Sequence, residues 1–242
     1  MDERETQPDR CLRAYLLGTV DFASVLALQR RLVYEIAGDR SSGALILCEH
    51  PPTISVGRLG SRLHIRLSDS ELHARRWPVK WVNRGAGCLL HAPGQLAIYP
   101  VIAIDELQLS PTSYLAQIHD WIRTVVRMFD VPAETQRSGL WVQDRQIAHV
   151  GIAIRQWVSY FGAALNMQPN LEIFRHVACD GAEFPMTSME RELRTPVRIS
   201  TVRQRLLESF ADAFAFDRVA VFHSHPALPL KATTDAVVTP AY

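Results

Sequence analysis

The chain has 242 residues, 48% hydrophobic and 21% charged, an ordinary make-up for a globular protein with one substantial core. Basic and acidic residues nearly balance at 26 and 25, so no whole-protein field draws the chain to nucleic acid or to a membrane surface. The opening MDERETQPDR holds no apolar signal core, the longest apolar runs fall far short of a membrane span, and four scattered cysteines without a C-x-x-C pair argue for free thiols in a reducing cytoplasm. These features predict a cytoplasmic, monomeric single domain over 1–242, with its core at about 15–217 and tails at 1–10 and 224–242.

In chain order, residues 22–36 place Phe22, Val25, Leu26, Gln29, Leu32, Val33 and Ile36 at three-and-four spacing, an amphipathic helix opened by Asp21. ALILC at 44–48 is a short buried strand stopped by His50-Pro51-Pro52, and 53–57 resumes as a strand. A short helix suits 68–76 and a strand 79–83. The Gly- and Pro-rich stretch RGAGCLLHAPGQ at 84–95 reads as a loop leading into a long strand over 96–104. The second strong helix covers 112–129, with Leu115, Ile118, Trp121, Ile122, Val125, Val126 and Phe129 on its inner face. Strands follow at 140–142, 147–154 and 158–166, and Thr201-Val-Arg-Gln204 is a capping-box pattern opening a helix through 214. Helices set between groups of strands, with hairpins in the second half, predict an α+β fold: a mixed sheet flanked by helices rather than a doubly wound one.

Three segments could carry chemistry. In 84–95, Gly85, Gly87 and Gly94 allow close backbone approach to a ligand, with Arg84 and His91 among them. A plain hairpin connection would have the same composition, and the segment matches neither the P-loop nor the dinucleotide fingerprint. Cys179, in HVACDG at 176–181, is better placed to be a thiolate nucleophile than Cys48 in its apolar strand. A lone free cysteine is, however, more often a small buried hydrophobe, and a carboxylate such as Asp180 next to it disfavours the thiolate. His50 could line a pocket or simply cap the sheet end. The other histidines show no ligand spacing, so no metal site is expected.

Together these segments resemble the lipoyl(octanoyl) transferase family of the biotin/lipoate-ligase superfamily. LILCEHPPTISVGR at 45–58 resembles its strand–turn–strand signature, and RGAGCLLHAPGQLAIYP at 84–100 its main substrate-loop motif. LWVQDRQIAHVG at 140–151 is similar to the strand pair around its catalytic lysine, YFGAALNM at 160–167 to the next strand, and VACDGAEFPMTSM at 177–189 to its catalytic-cysteine segment. The resemblance implies the biotin/lipoate protein ligase catalytic-domain fold and a part in protein lipoylation, with no cofactor. An octanoyl group would pass from the phosphopantetheine thioester of an acyl carrier protein to Cys179. A lysine on a lipoyl domain of a 2-oxoacid dehydrogenase, or on the glycine-cleavage H protein, would then accept it. The same resemblance implies substrate contacts at Arg84, Gly85, Ala86, His91, Gly94, Tyr99, Gly151 and Asn166, and a catalytic role at the position of Gln146.

Departures from the family pattern shape the expectation. Gln146 stands where the family has lysine, Ala86 and Ala92 replace glycines, Leu89-Leu90 replaces Thr-Tyr, Phe161 replaces a histidine and Asp180 a glycine. Glutamine cannot take up a proton near neutral pH. His149, where the family has a small residue, is the obvious substitute base. In a regular strand, though, positions 146 and 149 face opposite sides, so a bulge would be needed; His91 and His176 are the alternatives. Two readings stay open: an acyltransferase with a substitute for the lysine, and a relative that binds acyl carrier, acyl thioester or lipoyl domain without turnover. An ATP-dependent ligase is disfavoured, because no basic nucleotide-gripping segment stands in the loop. The apolar replacements predict a hydrophobic acyl tunnel, and the motifs predict that Cys179 lines a pocket with Arg84, Gly85, His91, Gln146 and Gly151.

Overall fold

The structure, a computed structural model, describes residues 9–179 and 184–228. The chain opens with β1 (Cys11–Thr19), α1 (Phe22–Gly38), β2 (Ser42–Glu49) and β3 (Thr53–Val56). Next come α2 (Asp69–Arg75), β4 (Val79–Trp81), β5 (Cys88–His91), β6 (Gln95–Val101) and α3 (Pro111–Arg127). A run of strands follows, β7 (Glu134–Gln136), β8 (Gly139–Val142), β9 (Arg145–Arg155) and β10 (Val158–Asn166), then α4 (Met189–Leu193), α5 (Ile199–Ala213) and β11 (Arg218–Phe222). Eight strands pair in the order β11-β1-β2-β6-β10-β9-β8-β7, and a separate three-stranded sheet has the order β4-β3-β5. Only the β1 pairings are parallel in the large sheet, so it is mixed, as the alternation of helices and hairpins predicts.

Side-chain alternation decides which helix covers which face. Along β6, Leu96 and Ile98 pack with Tyr114, Ile118 and Val125 of α3 and Phe210 of α5, whereas Ala97 and Tyr99 turn toward Phe22, Val25 and Leu32 of α1. The Asp21 carboxylate accepts the Ser24 N–H and opens α1, as expected. The three-stranded sheet packs its own small core beside the α1 face, with Ile54, Val56, Leu90, Trp77 and Phe174 around Cys88 and Cys179.

The structure corrects several boundaries. Within 84–95, residues 88–91 form β5 and pair antiparallel with β3, Thr53 opposite His91 and Val56 opposite Cys88. All four are buried, so an apolar run replaced the alternation that would have marked a strand. α5 begins at Ile199, and Thr201 already donates its N–H to the Arg198 carbonyl, so the capping box does not act; Arg198 caps without a side-chain hydrogen bond. The flanking strands β1 and β11 went unpredicted; they pair with each other at the sheet edge. At the chain's end, the His225 ring sits 5.2 Å from Tyr15 and Leu228 packs on the α1 side. Residues 229–242, the rest of the expected tail, lie outside the described residues, as do 1–8 and 180–183.

Candidate active site

The site is built where β3 and β5 of the small sheet meet β6, β9 and β10 of the large one. Ser55, in the middle of buried β3, joins two predicted residues: its Oγ lies 3.0 Å from His91 Nε2 and accepts from Arg84 Nη2 at 2.9 Å. The same guanidinium donates to the carbonyls of Ser55 at 3.0 Å and Gly85 at 2.9 Å, which fixes Arg84 as a buried brace of the loop. Burial first, and then the charges of His50, Arg84 and His149, hold the His91 pKa well below the usual histidine range, so its imidazole is neutral.

His50 sits beside it, rings 5.4 Å apart. Its Nδ1 donates to the Val20 carbonyl at 2.7 Å, since a carbonyl can only accept, and its Nε2 therefore accepts from the Tyr99 hydroxyl at 2.9 Å. Burial lowers the His50 pKa to about 4 and raises that of Tyr99 well above its usual value, so the pair is a neutral imidazole and a protonated phenol. The Phe22 ring closes this group, 4.8 Å from His91 and 5.3 Å from His50.

The bulge that the sequence reading required is present. Leu140 opposes Ala148 and Trp141 opposes Gln146, so Ile147 is an extra residue in β9. It packs with Ala148 in the α3 side of the core. Gln146 and His149 consequently share the opposite face and line one small space with Leu89, Gln95, Asn166, Phe174 and Met186. Asn166 is fixed by two hydrogen bonds, accepting from Gln95 Nε2 at 2.9 Å and donating to the Thr187 carbonyl at 3.0 Å. Thr187 in turn donates its N–H to the Gln146 carbonyl at 2.9 Å, and Gln146 donates its own to the Pro185 carbonyl at 3.0 Å. The chain following the cysteine segment is thereby strapped onto β9 at Gln146.

A second space, lined by Phe22, Arg84, Leu89, His91, Tyr99, His149, Gly151 and Phe161, adjoins the first, with Leu89 and His149 common to both. Gly151 is required there: a Cβ would lie 2.8 Å from the Gly85 carbonyl, whose residue donates its N–H to Ile152 at 2.8 Å. Gly85 and Ala86 themselves face an outer groove. Gly94 plays a turn role instead, at φ +82° with its N–H on the Glu49 carboxylate. Cys179 is 2% exposed and forms a backbone bridge with Cys88, the residue immediately before Leu89. It thus stands against the predicted loop, although neither small space counts it among its lining residues. His176 turns away, its ring edge-on to Trp77 at 6.0 Å.

The expected tunnel is closed in this structure. Each of the two spaces has a volume of about 10 Å³, on the order of one water. Phe161 and His149, both bulky departures from the family pattern, fill the space beside His91. Leu90 is wholly inside the small sheet's core and lines neither space. Sequence reasoning missed Ser55 and Phe22; the signal for Ser55 was a serine between two aliphatic residues, Ile54 and Val56, in the short run TISV.

This mixed sheet with a small second sheet over one face is the fold of lipoate protein ligases. It matches the T. acidophilum protein Ta0514 with bound lipoic acid at a TM-score of 0.67 and 16% identity, over 89% of this chain and 90% of that one. It matches lipoate-protein ligase A bound with ATP at 0.67 and 17%, over 87% and 88%. The lipoyl protein ligase A/B catalytic domain family matches residues 21–211, and the chain belongs to it. Among curated relatives, an octanoyltransferase of Syntrophobacter fumaroxidans is 36% identical over 80% of this chain and 87% of its own length. The mitochondrial octanoyltransferase LIP2 of Arabidopsis thaliana is 29% identical over 91% and 96%.

Proposed function

We propose that the protein is an octanoyltransferase that moves a medium-chain acyl group from an acyl carrier protein, through a Cys179 thioester, to a lysine of a lipoyl domain. The observation that carries this reading is the bulge at Ile147, which gives Gln146 and His149 one face beside the loop that Cys179 abuts. In the first step Cys179 Sγ attacks the donor thioester carbonyl, the carrier's C–S bond breaks, and its sulfur leaves as a thiol with the proton given up by Cys179. In the second, the acceptor lysine amine attacks the new thioester, an amide forms and the Cys179 thiol is restored.

An amide at position 146 can orient the thiol or the carbonyl but cannot hold the proton, whereas an imidazole can near neutral pH. His149 is accordingly assigned as the base, Gln146 as a positioning residue, and neutral His91 and Arg84 as the frame of the loop. No helix among the described residues is long and apolar enough to cross a membrane. The test is intact mass after incubation with octanoyl-loaded acyl carrier protein: an added octanoyl group that Cys179→Ala abolishes supports the reading, and an unchanged mass overturns it.

A further inference from the structure

Outside the closed interior lies a groove of about 680 Å³ along the edge of β9, bounded by the Gly85–Ala86 turn, the first half of α3 and residues 137–138. It opens because β8 pairs with β9 only as far as His149, leaving 150–154 to line the groove floor. Its walls are apolar, with Leu59, Leu115, Val150, Ile152 and Ile154, and its rim carries Arg58 and Arg137. No aspartate or glutamate is among the described residues that line it. Arg137 is held by stacking, its guanidinium carbon 4.1 Å over the Phe184 ring and 5.7 Å over Trp141, which occupies the flat face of the group and leaves its N–H edge for an anion.

The third feature is His119, which lines the groove wall and is more than nine-tenths buried. Its Nδ1 donates to the Leu115 carbonyl at 3.0 Å, so the proton is on that nitrogen, and Nε2 is a lone-pair acceptor with no partner among the described residues. A buried acceptor of this kind calls for an N–H or O–H donor. It disfavours a fatty-acid carboxylate, which could only accept. The occupant must therefore combine an anion for the arginines with donors along an extended stem.

We infer that this groove binds the phosphopantetheine arm of the acyl carrier, its phosphate between Arg58 and Arg137 and an amide N–H or hydroxyl of the arm on His119 Nε2. The assignment rests on the function proposed above and adds the place where the donor's arm lies. Gly151, packed against the Gly85 carbonyl, lines both the groove and the His91–His149 interior.

Calorimetric titration with free phosphopantetheine and with pantetheine tests it, alongside kinetics with octanoyl-loaded carrier and with a phosphate-free octanoyl thioester of cysteamine. Phosphopantetheine is expected to bind more tightly than pantetheine, and Arg58→Ala or Arg137→Ala to weaken it about tenfold each. His119→Leu should weaken both probes alike. The arginine substitutions should also lower the preference for the carrier over the small thioester by raising KM more than they lower kcat. Affinity that depends neither on the phosphate nor on the arginines overturns the assignment. If the arm binds with that dependence while Cys179 never gains mass, the transferase reading fails and the groove stands. If Cys179 is acylated and the double arginine variant keeps its KM for the carrier, the groove falls and the transferase reading stands.

Discussion

Gln29 reaches from the inner face of α1 to the backbone of β10, where its side-chain Oε1 accepts the Phe161 N–H at 2.7 Å. Phe161 lies at φ +59° inside a strand, a left-handed conformation that a bulky residue avoids. Such strain costs on the order of 1–3 kcal/mol and persists only where the surroundings impose it. The consequence is visible in the rings: Phe161 stacks beside Tyr160 at 5.0 Å, and both turn toward α1 instead of alternating across the sheet.

Gln29→Leu keeps the packing volume but leaves the buried Phe161 N–H without its acceptor. It is expected to destabilise the fold by about 1–3 kcal/mol, read from the urea midpoint at constant slope. A loss below the error of the extrapolation would mean that the backbone at Phe161 does not need α1.

Acid should unfold the protein by a definite route. The folded His50 pKa is lowered to about 4, chiefly by burial, from an ordinary value of 6.5. Between those two values the unfolded chain carries the proton and the folded chain does not, so unfolding takes up protons and stability falls as pH drops through this window. For His50 alone the loss between pH 7.5 and pH 5 is about 2 kcal/mol. His91, shifted the same way, adds to it. Denaturation at the two pH values checks this, and equal stability at both would contradict neutral buried imidazoles.

Much of this arrangement was legible in the residues. The α1 and α3 faces follow from three-and-four spacing, and ordered motifs between 45 and 189 pointed to the fold. What was not legible depends on register. The bulge at Ile147 leaves no mark in RQIAHVG, because the apolar pattern through Ile147 and Ala148 fits a regular strand equally well. β5 was hidden by glycines on both sides of CLLH, β11 by its exposure at the sheet edge, and β1, paired on both sides between β11 and β2, by an irregular burial pattern in CLRAYLLGT. The filled interior could not be read either. Apolar substitutions such as Phe161 predict an apolar space, but only the left-handed backbone shows that the ring occupies it.

Removing that ring should reopen the interior. Phe161→Ala frees volume beside His91 and Tyr99, at a stability cost of about 3–5 kcal/mol if the cavity does not collapse. Acylation of Cys179 by octanoyl and dodecanoyl carriers is expected to rise more than acylation by a butyryl carrier, followed by intact mass over time. A uniform change across the three chain lengths would show that Phe161 does not bound the acyl space.

The base assignment can be tested at positions 146 and 149 together. A free cysteine is only a few per cent thiolate near neutral pH, and a positioned general base is typically worth about 10²–10⁴-fold. His149→Ala is therefore expected to slow acylation of Cys179 by about 10²-fold or more, while Cys179→Ala removes the adduct entirely. Gln146→Lys places an amine on the same face of β9, since the bulge at Ile147 aligns both positions. An ammonium desolvated among Leu89, Ala164 and Phe174 gives up its proton more readily than one in water. The substitution should raise the wild-type rate and restore most of what His149→Ala loses. Rescue by Gln146→Lys but not by Gln146→Met separates a proton-transfer role for His149 from a packing role, because both side chains can fill the space that 146 and 149 share and only lysine can carry the proton. If His149→Ala acylates at the wild-type rate and Gln146→Lys changes nothing, neither residue carries the proton. The base must then be sought elsewhere along the loop.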